Sequence, residues 1–225
     1  MDDAPPPRGA SQRGAAACAG AQPAGRRRHP RARSRAGGVI PTTLPLALRN
    51  RLAETILAAL HDADARRALA ALTTDEGAAT WLDGADARWT APLTERARRA
   101  SAALAGRPLH SPNADLVQAL DDAAALFDAG LHFEVHEILE PHWVVSEGDT
   151  REALQGLIQA AVAFQHLANG NLAGARSLLV EASARLRGRR LLGRDLDAFA
   201  RAAAAAAVAV AGGITVVPSP FPSRE

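Results

Sequence analysis

Residues whose side chains can do chemistry recur at helical spacing between positions 131 and 143. His132 and His136 are four residues apart, and Glu140 follows His136 by another four. Because residues at i and i+4 lie on one face of an α-helix, these three side chains can reach a single divalent metal ion. Alternatively, Glu140 orients His136 as a general base. A third interpretation is a structural network, in which the polar groups satisfy one another and fix the helix register.

A second set of polar residues lies in the next helical stretch, 150–168, which is apolar on nearly every side. Gln155, Gln159 and His166 fall on one narrow stripe of that helix. Buried amides and imidazoles cost about 1–3 kcal/mol each when they have no hydrogen-bond partner, so these groups need partners on the neighbouring helix. We therefore predict that they meet the His136 side of the first helix in a dry interior.

The two stripes give three sets of candidate site residues. The candidate catalytic residues are His136, Glu140 and His166. The candidate metal ligands are His132, His136, Glu140 and His166, with a divalent metal ion as the candidate cofactor. The candidate binding residues are Gln155, Gln159, Glu137, Trp143 and Asn171. A zinc protease of the HExxH type is not expected, because Glu140 replaces the second histidine of that pattern. Glu134 falls on the side of the helix that should face solvent.

Hydrophobic periodicity predicts helices through most of the chain after Pro41, and no segment predicts a β-sheet. The predicted helical stretches are 44–60, 64–72, 76–83, 92–105, 114–129, 131–143, 150–168, 171–186 and 194–211. The motif of a helix, a glycine turn and a second helix occurs at Gly130 and again forty residues later at Gly170. This is the pattern of tetratricopeptide-like hairpins. The predicted fold is all-α, with antiparallel helical hairpins packed as a compact, tetratricopeptide-like bundle.

Changes in composition predict four segments along the chain. Residues 1–38 are rich in Arg, Pro and Gly and should form a disordered basic tail. The same composition is expected if translation starts near Val39 and these residues are not part of the protein. An N-terminal helical region, 41–106, is followed by a linker that ends in a helix-capping Asn113. A C-terminal helical domain spans 114–211, and the proline-containing residues 212–225 should form a flexible tail.

Composition and charge narrow the classes of function. The basic charge is concentrated in residues 1–38, which hold eight arginines against Asp2 and Asp3. The remaining chain shows no concentrated basic face, so nucleic acid is not expected as a partner of the folded part. No apolar run reaches the roughly 20 residues that a membrane helix needs, so a membrane partner is not expected either. The single cysteine excludes an intrachain disulfide, and we predict a cytoplasmic location.

A resemblance to a known family is carried by two segments, FDAGLHFEVHEILEPHW and ALQGLIQAAVAFQHLANGNLAGARSLL. They resemble the prokaryotic helical family called domain of unknown function 309, over about residues 120–187. The shared pattern is a histidine-glutamate-x-x-glutamate helix ending in tryptophan, then a helix with glutamines, then a histidine before a glycine-asparagine turn. The matching positions are His136, Glu137, Glu140, Trp143, Gln155, Gly156, Gln159, His166, Gly170, Asn171, Gly174 and Ala175. The resemblance implies an all-α fold and no particular activity.

Two classes of function follow from these observations. The first is a metal- or small-molecule-binding enzyme, hydrolase-like, that uses His136 and Glu140 with His166. The alternative is a non-catalytic, tetratricopeptide-like protein-interaction module whose polar cluster is structural. A solvent path to His136 favours the enzyme, whereas a sealed cluster beside an exposed apolar groove favours the module. The expected partner is accordingly a small molecule or a protein.

Overall fold

Helices account for nearly all of the regular structure in residues 43–224, the part of the chain that this computed structural model describes. The α-helices of this part are α1 (Leu46–Ala58), α2 (Ala63–Ala71), α3 (Asp75–Ala79), α4 (Thr90–Leu104), α5 (Leu116–Asp128), α6 (His132–Val145), α7 (Gly148–Ala168), α8 (Leu172–Leu186) and α9 (Asp197–Ala211). A 3₁₀-helix, Gly84–Trp89, precedes α4. The predicted all-α fold is confirmed, and the predicted helix positions agree with the structure within a few residues.

Side-chain caps explain where several of these helices begin. Asp62 accepts hydrogen bonds from the backbone N–H groups at the start of α2, and Asn171 does the same for α8. The start of α5 is capped by Asp115, not by Asn113 as the sequence suggested, since the Asp115 carboxylate accepts from Gln118 N at 2.9 Å. Gly130 and the corresponding Gly170 have φ angles of +73° and +74°, so each turn uses a conformation that favours glycine.

Helices α5 to α9 pack as a series in which each helix contacts the next one in sequence. The α6–α7 pair is antiparallel, because His132 at the start of α6 lies beside Phe164 near the end of α7. The α7–α8 pair approaches closely at Gly156, where a Cβ atom would lie 2.7 Å from the Leu186 side chain. These helix pairs confirm the predicted hairpin architecture.

The predicted N-terminal region, 41–106, and the C-terminal domain, 114–211, share one hydrophobic core. Leu52 and Ile56 of α1 are fully buried in the same cluster as Leu131 of the later helices. Both regions lie in the compact unit Val39–Glu225. The linker between them is held against α5 by Asp122, whose carboxylate lies 2.7 Å from both Arg107 and His110.

A small β-hairpin departs from the prediction that the chain has no sheet. Strands β1 (Arg190–Leu191) and β2 (Arg194–Asp195) are antiparallel and are joined by Leu192 and Gly193, whose φ angles are +48° and +81°. Two positive φ angles in a two-residue turn match the twist of a hairpin. Strands of two residues carry no detectable alternation, which is why the sequence pattern missed them.

The segment after α9 is anchored by Phe221. Its ring is buried against Phe127 and Phe199, and its backbone N–H donates to the Asp128 carboxylate at 2.8 Å. The prediction of a flexible tail over 212–225 did not account for this aromatic anchor. The predicted disordered tail over 1–38 lies outside the described residues. None of the described helices has the length and apolar character needed to cross a lipid bilayer.

Candidate functional site

Helix α6 brings three of the predicted site residues together near the protein surface. The Nδ1 atom of His136 lies 2.9 Å from a carboxylate oxygen of Glu137, and Nε2 lies 3.8 Å from a carboxylate oxygen of Glu140. One donor atom from each of the three residues lies within 4.8 Å of the others. We call His136, Glu137 and Glu140 the His136 cluster.

The His136 cluster is partly exposed to solvent, so the prediction of a dry interior site was wrong. The side chains of His136 and Glu140 are 28% and 50% exposed. Val135 and Leu139 are instead the fully buried residues of α6 that join the core. The Phe133 ring, 6.4 Å from the His136 ring, is only half buried and lies beneath the Arg49 guanidinium at 4.1 Å.

The glutamines of α7 do not hydrogen-bond to the His136 cluster. The Gln159 amide donates to Glu181 of α8 at 2.8 Å, and its Oε1 atom is buried without a partner among the described residues. Gln155 is half buried and forms no hydrogen bond within residues 43–224. The predicted network between α6 and α7 is therefore not formed, because Gln159 pairs with the neighbouring α8.

His166 lies at the end of α7 and is oriented by the turn that follows. The Asn171 side-chain amide donates to Nδ1 of His166 at 3.1 Å, which places the proton of the neutral imidazole on Nε2. Asn171 also caps α8 by accepting from Gly174 N at 3.0 Å. His166 is not part of the His136 cluster, whose donor atoms lie within 4.8 Å of one another. As a metal ligand it would need to move toward that cluster.

His132 has surroundings unlike those of His136. It is 8% exposed and packs between the rings of Phe127 and Phe164. Burial, together with the positive charges of Arg96 and Arg99, lowers the pKa of His132 to about 4. The imidazole is therefore neutral at pH 7. His132 does not join the metal-binding group among the described residues, because its ring points into the core.

Trp143 closes the end of α6 by contact with the next helix. The guanidinium of Arg151 lies 4.1 Å from the ring centre of Trp143 and donates to its backbone carbonyl at 2.8 Å. These contacts hold the short loop between α6 and α7. The observed contacts of Trp143 with Arg151 are packing contacts, and its role in ligand binding stays a prediction.

Glu134 and its partner Arg96 are residues that the sequence analysis missed. Glu134 was expected to face solvent, but its side chain is fully buried and accepts from the Arg96 guanidinium at 2.6 Å. The partner comes from α4 in the N-terminal region, so no periodicity within α6 could reveal it. A glutamate opposite an apolar arc is solvent-facing only when no other element packs on that side.

A solvent-accessible cavity of about 280 Å³ adjoins the His136 cluster. Its lining includes His136, His166 and His132, together with Arg49 and Val162. The three predicted histidines thus line one cavity, although His132 is buried and His136 is partly exposed. A small molecule that occupied it could contact His136 and His166 at once.

The donor set of the His136 cluster fits a divalent metal ion. Two atoms that bind one ion at about 2.0–2.2 Å lie about 3–4 Å apart, which agrees with the 3.8 Å between His136 Nε2 and the Glu140 carboxylate. With the ion on Nε2, the Glu137 carboxylate accepts from Nδ1–H and orients the ring, as carboxylates do beside metal-binding histidines. Nitrogen and carboxylate donors suit zinc, manganese or iron.

Comparison with known proteins finds a family that is similar to the segment around this cluster. The family model described as "Domain of unknown function (DUF309)" matches residues 120–178, a range that contains the His136 cluster, both glutamines, His166 and the Asn171 cap. No curated protein and no solved structure was found to match the chain. Residues 120–178 of this chain are therefore similar to the DUF309 family.

Proposed function

We propose that the DUF309-like region, residues 120–178, binds a divalent metal ion through His136 and Glu140 and uses it in hydrolase-like chemistry. The observation that carries this proposal is that both ring nitrogens of His136 face carboxylates, at 2.9 Å and 3.8 Å. The shorter distance is a hydrogen bond, whereas the longer one exceeds hydrogen-bonding range and leaves space for an ion. In this arrangement Glu137 is a positioning residue, and Glu140 is a ligand.

The exposure of the cluster favours a catalytic ion over a structural one. Structural zinc sites are closed by four protein ligands, whereas catalytic sites keep a position open for water or substrate. Glu140 is half exposed, so an ion there would have open positions toward solvent. Such an ion would supply a Lewis acid and lower the pKa of bound water. His166 Nε2–H, in the cavity that His136 also lines, is a donor for the substrate.

Zinc titration of the full chain tests the metal site. We expect about one Zn²⁺ per chain in a calorimetric titration, and elemental analysis after purification without chelator should detect a stoichiometric metal. His136→Ala and Glu140→Gln should each weaken zinc binding at least tenfold, and Glu137→Gln about tenfold through loss of the orienting hydrogen bond. His142→Ala is the matched control, because His142 lies on the same helix outside the cluster.

The outcomes separate metal binding from catalysis. Equal zinc affinity in the wild type and in His136→Ala would reject the metal site. Metal-dependent hydrolysis of p-nitrophenyl acetate or p-nitrophenyl phosphate, lost in His136→Ala and retained in His142→Ala, would support the enzyme. Zinc binding with no metal-dependent hydrolysis of a wider ester and amide panel would reject the hydrolase part of the proposal.

A second candidate function, a protein-interaction module, is favoured by an apolar groove between α8 and α9. Val180 and Val208 line it and are 53% and 75% exposed, and alanines form most of the remaining wall. Apolar grooves of this kind can accommodate the apolar face of an amphipathic helical peptide. Val208→Glu should abolish a partner interaction here without changing zinc affinity at His136.

We also propose that the protein resides in the cytoplasm. The support is its use of a single cysteine, which is typical of chains that do not depend on disulfides. Cell fractionation with an antibody against the chain tests this location.

A further inference from the structure

A second cavity, of about 360 Å³, is also lined by His132. Its lining includes Arg49 of α1, Arg96 and Arg99 of α4, and His132 and Gln165 of the DUF309-like region. Arg49, His132 and Gln165 also line the cavity beside His136, so the two spaces are adjacent. We call this second space the arginine cavity.

The positive charge of the arginine cavity is incompletely balanced. Of the residues described, no aspartate or glutamate lines it. Arg96 is paired with the buried Glu134, whereas Arg99 forms only a long ion pair, 3.8 Å, with the exposed Glu95. The guanidinium of Arg49 bonds to the neutral Asn50 amide and stacks on Phe133, and no carboxylate of residues 43–224 pairs with it.

Two side-chain nitrogen atoms of the lining residues have no hydrogen-bond partner among the described residues. These atoms, Arg96 Nε and His132 Nε2, are both buried. Burial lowers the pKa of Arg99, the nearby charge of Arg96 lowers it in the same direction, and Glu95 and Glu134 oppose both effects. An anion between Arg96 and Arg99 would relieve the repulsion between their charges.

We propose that the arginine cavity binds the phosphate group of a small phosphorylated molecule. Three guanidinium groups from two helices can donate to the oxygens of a tetrahedral phosphate from several directions, whereas a planar carboxylate has only two oxygens to offer. Arg49 is stacked on Phe133 and Arg96 is fixed by Glu134, so both donors are pre-oriented. The adjacent cavity beside His136 provides space for the rest of the molecule.

Binding of inorganic phosphate to the full chain tests this proposal. Sodium phosphate should raise the thermal unfolding midpoint in a saturable manner, relative to sodium chloride at equal ionic strength, and calorimetry should give a defined Kd. Arg49→Gln and Arg99→Gln should each raise that Kd about tenfold, and the double variant further. Arg96 is left unchanged, because its loss would strand the buried Glu134 carboxylate.

Control variants keep the test specific. Arg67→Gln is the matched control, since Arg67 is 73% exposed and far from the cavity lining, and its phosphate affinity should equal that of the wild type. His136→Ala should also retain phosphate binding, so a failed metal site does not affect this result. Conversely, if phosphate does not bind, the expected zinc affinity at His136 is unchanged. The two proposals can therefore fail independently.

Three outcomes would overturn the proposal. The first is a phosphate effect no larger than that of chloride. The second is binding that the double variant retains in full, which would assign it to other arginines, such as the eight in residues 1–38. The third is tighter binding of acetate than of phosphate, or binding only to vesicles that contain phosphatidic acid, which would exclude a small phosphorylated molecule.

Discussion

Helix α6 carries polar side chains on two sides, and the surroundings of those two sides are opposite. On one side Glu134 is fully buried and pairs with Arg96, 38 positions earlier in the chain. On the other side His136 interacts with Glu137 and Glu140 of its own helix and remains partly exposed. A buried charge must be compensated within the protein, whereas an exposed one keeps its hydration and can bind a ligand. The difference indicates that the Glu134 side supports the fold and the His136 side is available for binding.

The largest expected effect comes from breaking the buried pair. Glu134→Ala leaves the Arg96 guanidinium buried without its carboxylate, so the free energy of unfolding should fall by about 3–5 kcal/mol. Urea denaturation measures this change. Replacing both residues, as Arg96→Met with Glu134→Leu, should restore much of the loss, because no unpaired charge remains. Glu137→Ala, on the exposed side, is the matched control and should change stability by less than about 1 kcal/mol. Equal losses in the two single variants would contradict the comparison.

Protonation of His132, which is buried although it lies on the same face of α6 as His136, tests through pH how burial affects a polar group of this helix. The unfolded histidine titrates near pH 6.5 and the folded one near pH 4, because burial, Arg96 and Arg99 disfavour its charged form. Its contribution to stability is therefore complete above pH 6.5 and is lost as pH falls toward 4, by about 3 kcal/mol between pH 7 and pH 4.

Unfolding free energies of the wild type and of His132→Leu at pH 7 and pH 4 test this linkage. The variant should lose less stability on acidification than the wild type, because it lacks the group that the folded protein keeps neutral. The carboxylates common to both proteins cancel in this difference. An identical acid-induced loss of stability in both proteins would show that burial does not lower the pKa of His132 in the folded protein.

The smallest expected effect is that of His136→Ala on stability. Because this side chain is partly exposed and pairs only with exposed carboxylates, the free energy of unfolding should change by less than about 1 kcal/mol. Urea denaturation in the presence of a chelator measures the effect without bound metal. A loss above 2 kcal/mol would mean that His136 supports the fold as Glu134 does, and the two sides of α6 would no longer differ.

The sequence by itself determined most of the fold. Apolar spacing located the helices, and the glycine turns at Gly130 and Gly170 located the hairpins, because these signals act between residues close in the chain. The motif of His136, Glu137 and Glu140 was also visible, since its members are within one turn of each other. The Phe221 anchor and the small hairpin were missed, because a single aromatic contact and two-residue strands leave no periodic pattern.

Only the tertiary structure decided which polar groups are buried. A helical wheel gives the angle between side chains but not which neighbour lies on each side, and Arg96 of α4 reaches the side of α6 that carries Glu134. For the same reason the wheel placed His136 inside, although α7 packs on Val135 and Leu139 beside it. The arginine cavity likewise combines residues from α1, α4 and α6, whose proximity depends on long-range packing rather than on any local pattern.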